Sequence, residues 1–208
     1  VVGRLDLTST PPQLVDRRDL SSEFGYYRSL AFSPDGRYLA SGAGHEGRKG
    51  RALCVWDLAQ EAEAPLQSSR LGFDPERVIF SPGGEVVLIG DESGGLHRQE
   101  LGQDGALRSY ASPSVQSAVR LAGKVAHMGR VTGILFLAPE RFLSCSRGSS
   151  LIGGGQNSLA LWDLDGAEVR RLIVEPLRWR CLALDAAGER LALGREGEIE
   201  LRSGWLLR

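Results

Sequence analysis

The strongest constraint on the fold is a segment that recurs along the chain. "LAFSPDGRYLASG" at 30–42 returns as "VIFSPGGEVVLIG" at 78–90, as "ILFLAPERFLSCS" at 134–146 and as "LALDAAGERLALG" at 182–194. The corresponding residues Phe32, Phe80, Phe136 and Leu184 are separated by 48, 56 and 48 positions. A repeat of this length is typical of arrays in which one supersecondary unit stacks on the next.

Each copy predicts a β-hairpin, because apolar runs flank a turn rich in Pro, Gly and Asp. We expect these turns at 33–36, 81–84, 137–140 and 185–188. A third strand is predicted at 53–57, 96–100, 159–163 and 199–203, and a more polar fourth strand at 64–69, 106–111, 168–174 and 205–208. Four antiparallel strands form one blade of a β-propeller, so the predicted fold class is all-β.

Two of the third strands end in a Trp-Asp pair, Trp56-Asp57 and Trp162-Asp163. Together with "HMGRVTGILF" at 127–136, these pairs make the chain resemble the WD-repeat β-propeller family. In that family a His, a Ser and the Trp are linked by hydrogen bonds to an Asp in the loop before the third strand. The resemblance implies a structural network of His127, Ser144 and Trp162, with Ser41 and Trp56 as its counterpart in the first blade.

The network is expected to be altered, because Gln156 stands at the position of the loop Asp. The other blades depart further from the family pattern. In place of the His, the first blade has Glu23, the second has Leu71 and the fourth has Glu175. In place of the Trp, the second blade has Gln99 and the fourth has Arg202.

We interpret the chain as one propeller segment over 1–208. Its predicted parts are the end of a preceding blade (1–20), three blades (21–70, 71–112 and 113–174) and an incomplete last blade (175–208). Family members usually close near seven blades, each of roughly 40–45 residues. About four visible blades therefore predict part of a larger ring, with apolar end faces that need covering. A longer polypeptide is favoured by the absence of an initial Met; an associating piece and an unusual small ring are the alternatives.

Long insertions are predicted on one side of the ring. The loops joining strands two and three, and those leading from strand four into the next blade, share the side called the top face; the hairpin turns form the bottom face. The segments 43–51, 113–129 and 147–157 all belong to the top face, which favours recognition there. The candidate partner-binding residues are Arg48, Lys49 and Arg51 in one loop, with Tyr26, Tyr27, Arg178 and Trp179 near the starts of first strands. For Tyr27 and Trp179, core packing at the strand start is the favoured alternative.

Several function classes are disfavoured by composition and spacing. The formal net charge is −1, and no stretch reaches the length of a membrane span, so neither nucleic acid nor membrane is expected as a partner. His127, Ser144 and Asp163 invite comparison with a hydrolytic triad, but the repeat accounts for each position without catalysis. The three histidines have no metal-ligand spacing, so no metal or other cofactor is expected.

The cysteines bear on the cellular location. Three widely spaced cysteines, Cys54, Cys145 and Cys181, favour a reducing compartment, and we expect the cytoplasm.

The resemblance implies a non-catalytic scaffold that binds protein partners through its top face. The alternative is a sensor or regulatory domain of a larger multidomain protein whose catalytic domain lies outside these residues. Fold-level analogy does not identify the partner.

Overall fold

The computed structural model describes residues 2–6, 8–18, 20, 24, 26–44, 50–61, 64–102, 105–109, 127, 129–148, 157–164, 168–175, 179–185, 187–195 and 197–203. Within them lie seventeen strands: β1 Val2–Asp6, β2 Gln13–Arg18, β3 Tyr27–Phe32, β4 Tyr38–Ala43, β5 Ala52–Asp57, β6 Gln67–Arg70, β7 Pro75–Phe80, β8 Val86–Asp91, β9 Leu96–Leu101, β10 Leu107–Ser109, β11 Gly129–Ala138, β12 Arg141–Gly148, β13 Asn157–Asp163, β14 Glu168–Glu175, β15 Trp179–Leu184, β16 Arg190–Arg195 and β17 Glu198–Ser203. The all-β prediction is confirmed.

The strands form separate antiparallel sheets in chain order. The first blade is β3–β6, the second is β7–β10 and the third is β11–β14, each with four strands; the fourth blade shows three, β15–β17. A two-stranded sheet of β1 and β2 precedes them. The fourth strand predicted at 205–208 lies outside the described residues.

The hairpin turns fall where the repeat predicts them. Gly36 donates its amide to the carbonyl of Ser33, and Gly84 and Gly188 make the same bond to Ser81 and Asp185. These three glycines have positive φ, which suits residues without a Cβ. In the third blade the turn is only Pro139 and Glu140 between β11 and β12. Short, hydrogen-bonded turns thus form the bottom face.

Successive blades pack face to face through apolar side chains. Tyr38, Leu53 and Val55 of the first blade meet Val78 and Phe80 of the second. Between the second and third blades lies a cluster with Leu88, Val131 and Trp162, and between the third and fourth a cluster with Leu143, Leu159 and Leu193. The first strands β3, β7, β11 and β15 are neighbours in that order, so they form the inner edge of an arc.

Apolar side chains are exposed at both ends of the arc. On β3, Leu30 and Phe32 are exposed, and on β17 so are Ile199 and Leu201. The register places Ile199 opposite Gly194 and Leu201 opposite Ala192, so one face of the last described sheet carries small and apolar side chains. In a propeller such faces pack against neighbouring blades.

The Asp of each Trp-Asp pair binds the strand beside it. Arg37, just before β4, places Nη2 2.9 Å from Oδ2 of Asp57, and Arg141 places Nε 3.0 Å from Oδ1 of Asp163. The Asp57 carboxylate also accepts the amide of Ala59. This Asp therefore ties the end of the third strand to the bottom hairpin of the same blade.

Candidate partner-binding face

A β-bulge recurs near the start of every first strand. The register shifts between Tyr27 and Ser29, and again between the corresponding pairs of β7, β11 and β15. The residues inside these bulges are Arg28, Glu76, Thr132 and Arg180, each four positions before the recurring Phe or Leu of its strand. Bulges redirect side chains and are common beside functional sites. The fold therefore repeats one irregular position along the top of its inner edge.

Small residues across the bulge allow the next blade to approach closely. A Cβ on Gly42 would lie 2.9 Å from Cβ of Pro75, and a Cβ on Gly90 would lie 2.5 Å from Cγ1 of Val131. The first strand of the following blade occupies the space that a larger side chain would need. This close approach brings the bulge side chains of adjacent blades within hydrogen-bonding range.

A buried carboxylate lies between two arginines of neighbouring blades, Arg28 in the β3 bulge and Arg130 just before the β11 bulge. The Glu76 side chain is only 8% exposed and pairs with Nη1 of Arg28 from the first blade. Arg130 of the third blade places Nη1 3.3 Å from Oε1 of Glu76 and 3.4 Å from Oε2. A buried charge is stabilised only when it is paired and hydrogen-bonded, and Glu76 meets both conditions. One carboxylate thus links three consecutive blades.

A second carboxylate caps the same arginines from the solvent side. Glu92 lies in the top turn between β8 and β9, with Oε1 2.8 Å from Nη2 of Arg130 and Oε2 3.8 Å from Nη1 of Arg28. Its side chain is 42% exposed. Nearby, Arg77 donates Nε to the carbonyl of Thr132 at 2.7 Å and Nη1 to the carbonyl of Glu76 at 2.9 Å. We call Arg28, Glu76, Glu92 and Arg130 the charged cluster.

A hydrogen-bond network fixes the top of the third blade. Trp162 donates its indole N–H to Oγ of Ser144 at 2.7 Å, and the same Oγ lies 2.6 Å from Nε2 of His127. Nδ1 of His127 lies 2.5 Å from Oγ of Ser158, on β13. All four residues are buried, where unmatched polar groups are costly. Ser158 therefore contacts the second imidazole nitrogen of His127; Gln156, at the predicted position of the loop Asp, lies outside the described residues.

The first blade has a Trp and a Ser at the positions of Trp162 and Ser144, but their contacts differ. Trp56 is buried and packs edge-on against Tyr27, with ring centroids 5.7 Å apart and planes at 77°. Ser41 is also buried, but its Oγ makes no hydrogen bond within the described residues. Glu23 lies outside that part of the chain. Trp56 and Ser41 thus share the positions of Trp162 and Ser144 without the Trp-to-Ser bond.

The top turn of the second blade is joined to the network of the third. The amide of His127 donates to the carbonyl of Gly94 at 3.1 Å. Gly94 has a φ of +96°, and a Cβ there would lie 2.0 Å from the carbonyl oxygen of His127. Gly94 is required at this position for both reasons, conformation and close approach.

The same turn is held by a contact between a carboxylate and an imidazole. Oδ2 of Asp91 lies 2.8 Å from Nε2 of His97, whose ring stacks on Phe73 with centroids 3.5 Å apart. Burial opposes ionisation of Asp91, but hydrogen bonds from His97 and from the amides of Gly95 and Ser93 lower the pKa of its carboxyl below the usual value. The turn that carries Glu92 is therefore held by an ionised Asp91.

Two of the predicted partner-binding residues are exposed at the top of the first blade. Tyr26 is 60% exposed and Tyr27 38%, and both directly precede Arg28. Arg51 is engaged within the chain, since its Nε lies 2.9 Å from Oδ1 of Asp74. Trp179 begins β15, whereas Arg48, Lys49 and Arg178 lie outside the described residues, as does most of each long insertion.

Sequence reasoning missed the charged cluster. Arg28, Glu76 and Arg130 lie in apolar first strands and belong to no motif. The available signal was a charged residue four positions before the recurring Phe in each of the first two copies, Arg28 and Glu76. Only the bulge explains why that position faces its neighbours.

The cysteines differ in burial, and the described residues form no metal-ligating cluster. Burial raises the pKa of the Cys145 thiol to about 11, so little nucleophilic thiolate forms there near neutral pH. The cysteines are free, and Cys181 is exposed. Over the described ranges there is no cluster of three metal-ligating side chains. Nor is there, among these residues, a helix with the length and apolar character needed to cross a membrane.

Comparison with known proteins indicates the fold. No protein-family model and no curated protein matches the chain. Among solved structures, a functionally unknown protein from Desulfotomaculum acetoxidans aligns with a TM-score of 0.66 at 14% identity, over 98% of this chain and 58% of that one. The β-propeller domain of Cps50 (Swd1) from Myceliophteria thermophila aligns with a TM-score of 0.66 at 18% identity, over 92% of this chain and 56% of that domain.

The chain thus spans less than two thirds of the length of either similar structure. Its separate antiparallel sheets, packed in chain order, are consistent with an arc of a larger propeller. The fold of this chain is that of a β-propeller.

Proposed function

We propose that the chain is a WD-repeat-like, non-catalytic scaffold that binds protein partners through its top face. The observation that carries this proposal is the row of β-bulges on that face, which brings charged side chains of three blades together beside the exposed Tyr26. The bulges, Tyr26 and Glu92 all lie there, whereas the bottom face consists of short hairpin turns. Aromatic and arginine side chains held on a rigid framework are typical centres of protein interfaces.

The packing supports rigid display of this face. Each blade buries apolar side chains against the next, and the charged cluster joins three blades at their top ends. A framework of this kind limits the ordering cost on binding, which leaves more of the contact energy for affinity. The free thiols support our proposal of a cytoplasmic location.

We further propose that additional blades, in the same polypeptide or in another chain, cover the exposed apolar ends of the arc. Leu30 and Phe32 at one end and Ile199 and Leu201 at the other support this. Without such a cover, these side chains form exposed hydrophobic patches that favour association or aggregation.

Site-specific photo-crosslinking tests the top-face proposal. A photoreactive amino acid at Tyr26 samples the top face, and one at Glu140, in the exposed turn after β11, samples the bottom face. We expect a specific protein adduct from position 26 in an extract of the source cells. The adduct's partner, once purified, should bind the unmodified protein and lose affinity for Tyr26→Ala. Adducts from position 140 alone would overturn the top-face proposal.

A further inference from the structure

We propose that Arg28 and Arg130 form a binding site for a carboxylate of the partner, and that Glu92 occupies this site in the free protein. The inference rests on the proposed function, because it takes the top face as the contact surface. It goes further by naming the chemical group that the face recognises.

Glu76 holds the two guanidinium groups in place. Its buried carboxylate pairs with Nη1 of both arginines, which come from different blades. Each guanidinium has five N–H donors, so contact with Glu76 leaves donors for a second acceptor. Arg28 is also fixed by its position in the β3 bulge. The arginines are therefore pre-organised side by side before any partner arrives.

Glu92 shows that a carboxylate fits between them. One of its oxygens lies 2.8 Å from Nη2 of Arg130, and the other lies 3.8 Å from Nη1 of Arg28. The Glu92 side chain is exposed and lies in a turn, and exposed ion pairs contribute little to stability. A partner carboxylate that also gains apolar contacts can therefore displace it.

The geometry at the two arginines fits a carboxylate, because the Glu92 carboxylate already lies beside both of them. When Glu92 is displaced, Arg28, Arg130 and Glu76 together carry one positive charge. The neighbouring Arg77 adds a second positive charge, but its guanidinium donates to the backbone carbonyls of Glu76 and Thr132. A phosphate monoester has three acceptor oxygens, one more than the carboxylate that the two arginines are seen to hold.

Apolar contacts are available next to the arginines. Tyr26 and Tyr27 come just before Arg28 in the chain. Tyr26 is well exposed, and Tyr27 is partly exposed while its ring packs on Trp56. Tyr and Arg are the side chains most enriched at interface centres. We therefore expect the ligand to combine an acidic group with a flanking apolar or aromatic side chain.

The probe is a display library of short random peptides with free carboxyl termini. Peptides are selected from it for binding to the intact wild-type protein. We expect the selected peptides to share an acidic residue at one fixed position beside an apolar residue. Replacing that Asp or Glu by Asn or Gln in the synthetic peptide should weaken binding by about tenfold or more. Amidation of the terminus distinguishes a terminal carboxylate from a side-chain carboxylate as the bound group.

Two variants separate this site from general surface effects. Glu92→Gln keeps both arginine contacts to Glu76 and removes the competing charge, so it should bind the acidic peptides several-fold more tightly. Arg130→Lys retains a positive charge and loses the paired donors, so it should bind them more weakly. Glu140→Gln on the bottom face is the control, and denaturant melts establish that each variant is folded.

The outcomes distinguish this inference from the proposed function. Peptides that lose affinity for Tyr26→Ala, yet share no acidic position and bind Glu92→Gln unchanged, overturn the carboxylate site and leave the top-face proposal standing. Peptides that respond only to bottom-face substitutions overturn both proposals. Failure to select any peptide on the folded protein also counts against both.

Discussion

Ser144 and Ser41 occupy equivalent positions in two blades, yet of the two only Ser144 has a hydrogen bond within the described residues. Ser144 Oγ accepts the indole N–H of Trp162 at 2.7 Å and lies 2.6 Å from His127, whereas Ser41 Oγ has no hydrogen-bond partner among the described residues. Both side chains are fully buried. The same residue type therefore makes different contributions to stability in the two blades.

This difference gives a matched pair of substitutions. Ser144→Ala removes the hydroxyl that contacts the buried indole N–H of Trp162 and Nε2 of His127, so we expect a loss of about 1–3 kcal/mol in the free energy of unfolding. Ser41→Ala removes a hydroxyl that has no hydrogen-bond partner in the described part of the chain, so we expect no loss or a slight gain in the free energy of unfolding. Urea melts of both variants provide the measurement. Equal destabilisation by the two substitutions would show that the third-blade network contributes nothing.

Trp162 should be the most sensitive single residue of the third blade. It is 1% exposed, packs beside Val131 and Phe142, and donates to Ser144. Trp162→Ala should reduce the free energy of unfolding by about 3–5 kcal/mol through lost burial and a cavity. Trp162→Phe keeps much of the packing and loses the N–H bond, so its effect should be smaller. A chemical denaturation series that showed Trp162→Ala to be tolerated would contradict the blade packing.

Gly94 and Gly197 provide a test of the contact between the second and third blades. Both have positive φ, at +96° and +77°, but a Cβ on Gly94 would overlap the carbonyl of His127, whereas a Cβ on Gly197 would have nothing within 4 Å. Gly197→Ala should cost about 1–2 kcal/mol from conformation alone. Gly94→Ala should cost distinctly more, because the blades must separate. Similar melting temperatures for the two variants would rule out the close approach.

Acid should destabilise the first blade through Asp57. The hydrogen bond from Arg37 is the main reason that the pKa of the Asp57 carboxyl lies below its usual value. A carboxyl whose pKa is lower in the folded than in the unfolded state stabilises the fold at pH values above its unfolded-state pKa, which is about 3.9 for Asp. This stabilisation is lost as the pH falls through the folded-state pKa. Asp57→Asn should therefore destabilise the protein at neutral pH and lose less stability than wild type on acidification.

The control for this experiment is Asp163→Asn at the corresponding position of the third blade. Asp163 pairs with Arg141, but its side chain is 38% exposed, compared with 2% for Asp57. Exposed pairs contribute little, so this variant should keep most of the wild-type pH dependence. The measurement is the free energy of unfolding of wild type and both variants between neutral pH and about pH 3. If Asp57→Asn lost as much stability on acidification as wild type, Asp57 would not be a cause of the destabilisation by acid.

The sequence alone determined the architecture, because the repeat carries local signals. The alternation of apolar residues around Ser33–Gly36 and its copies is sufficient to predict hairpins, and the period of the copies predicts stacked blades. The Trp-Asp pairs and His127 indicated where polar groups are buried. These features depend on residues close in sequence, and for this reason they can be recognised without coordinates.

The tertiary structure alone decided which polar groups meet. Ser158 reaches His127 because β13 pairs with β12 in one particular register, and no motif marks Ser158 in the sequence. Arg28, Glu76 and Arg130 lie far apart along the chain. They meet because Arg28 and Glu76 lie in bulges and because the three blades pack closely. A one-residue change in register exchanges the two faces of a strand, so contacts of this kind depend on sheet geometry that residue patterns do not specify.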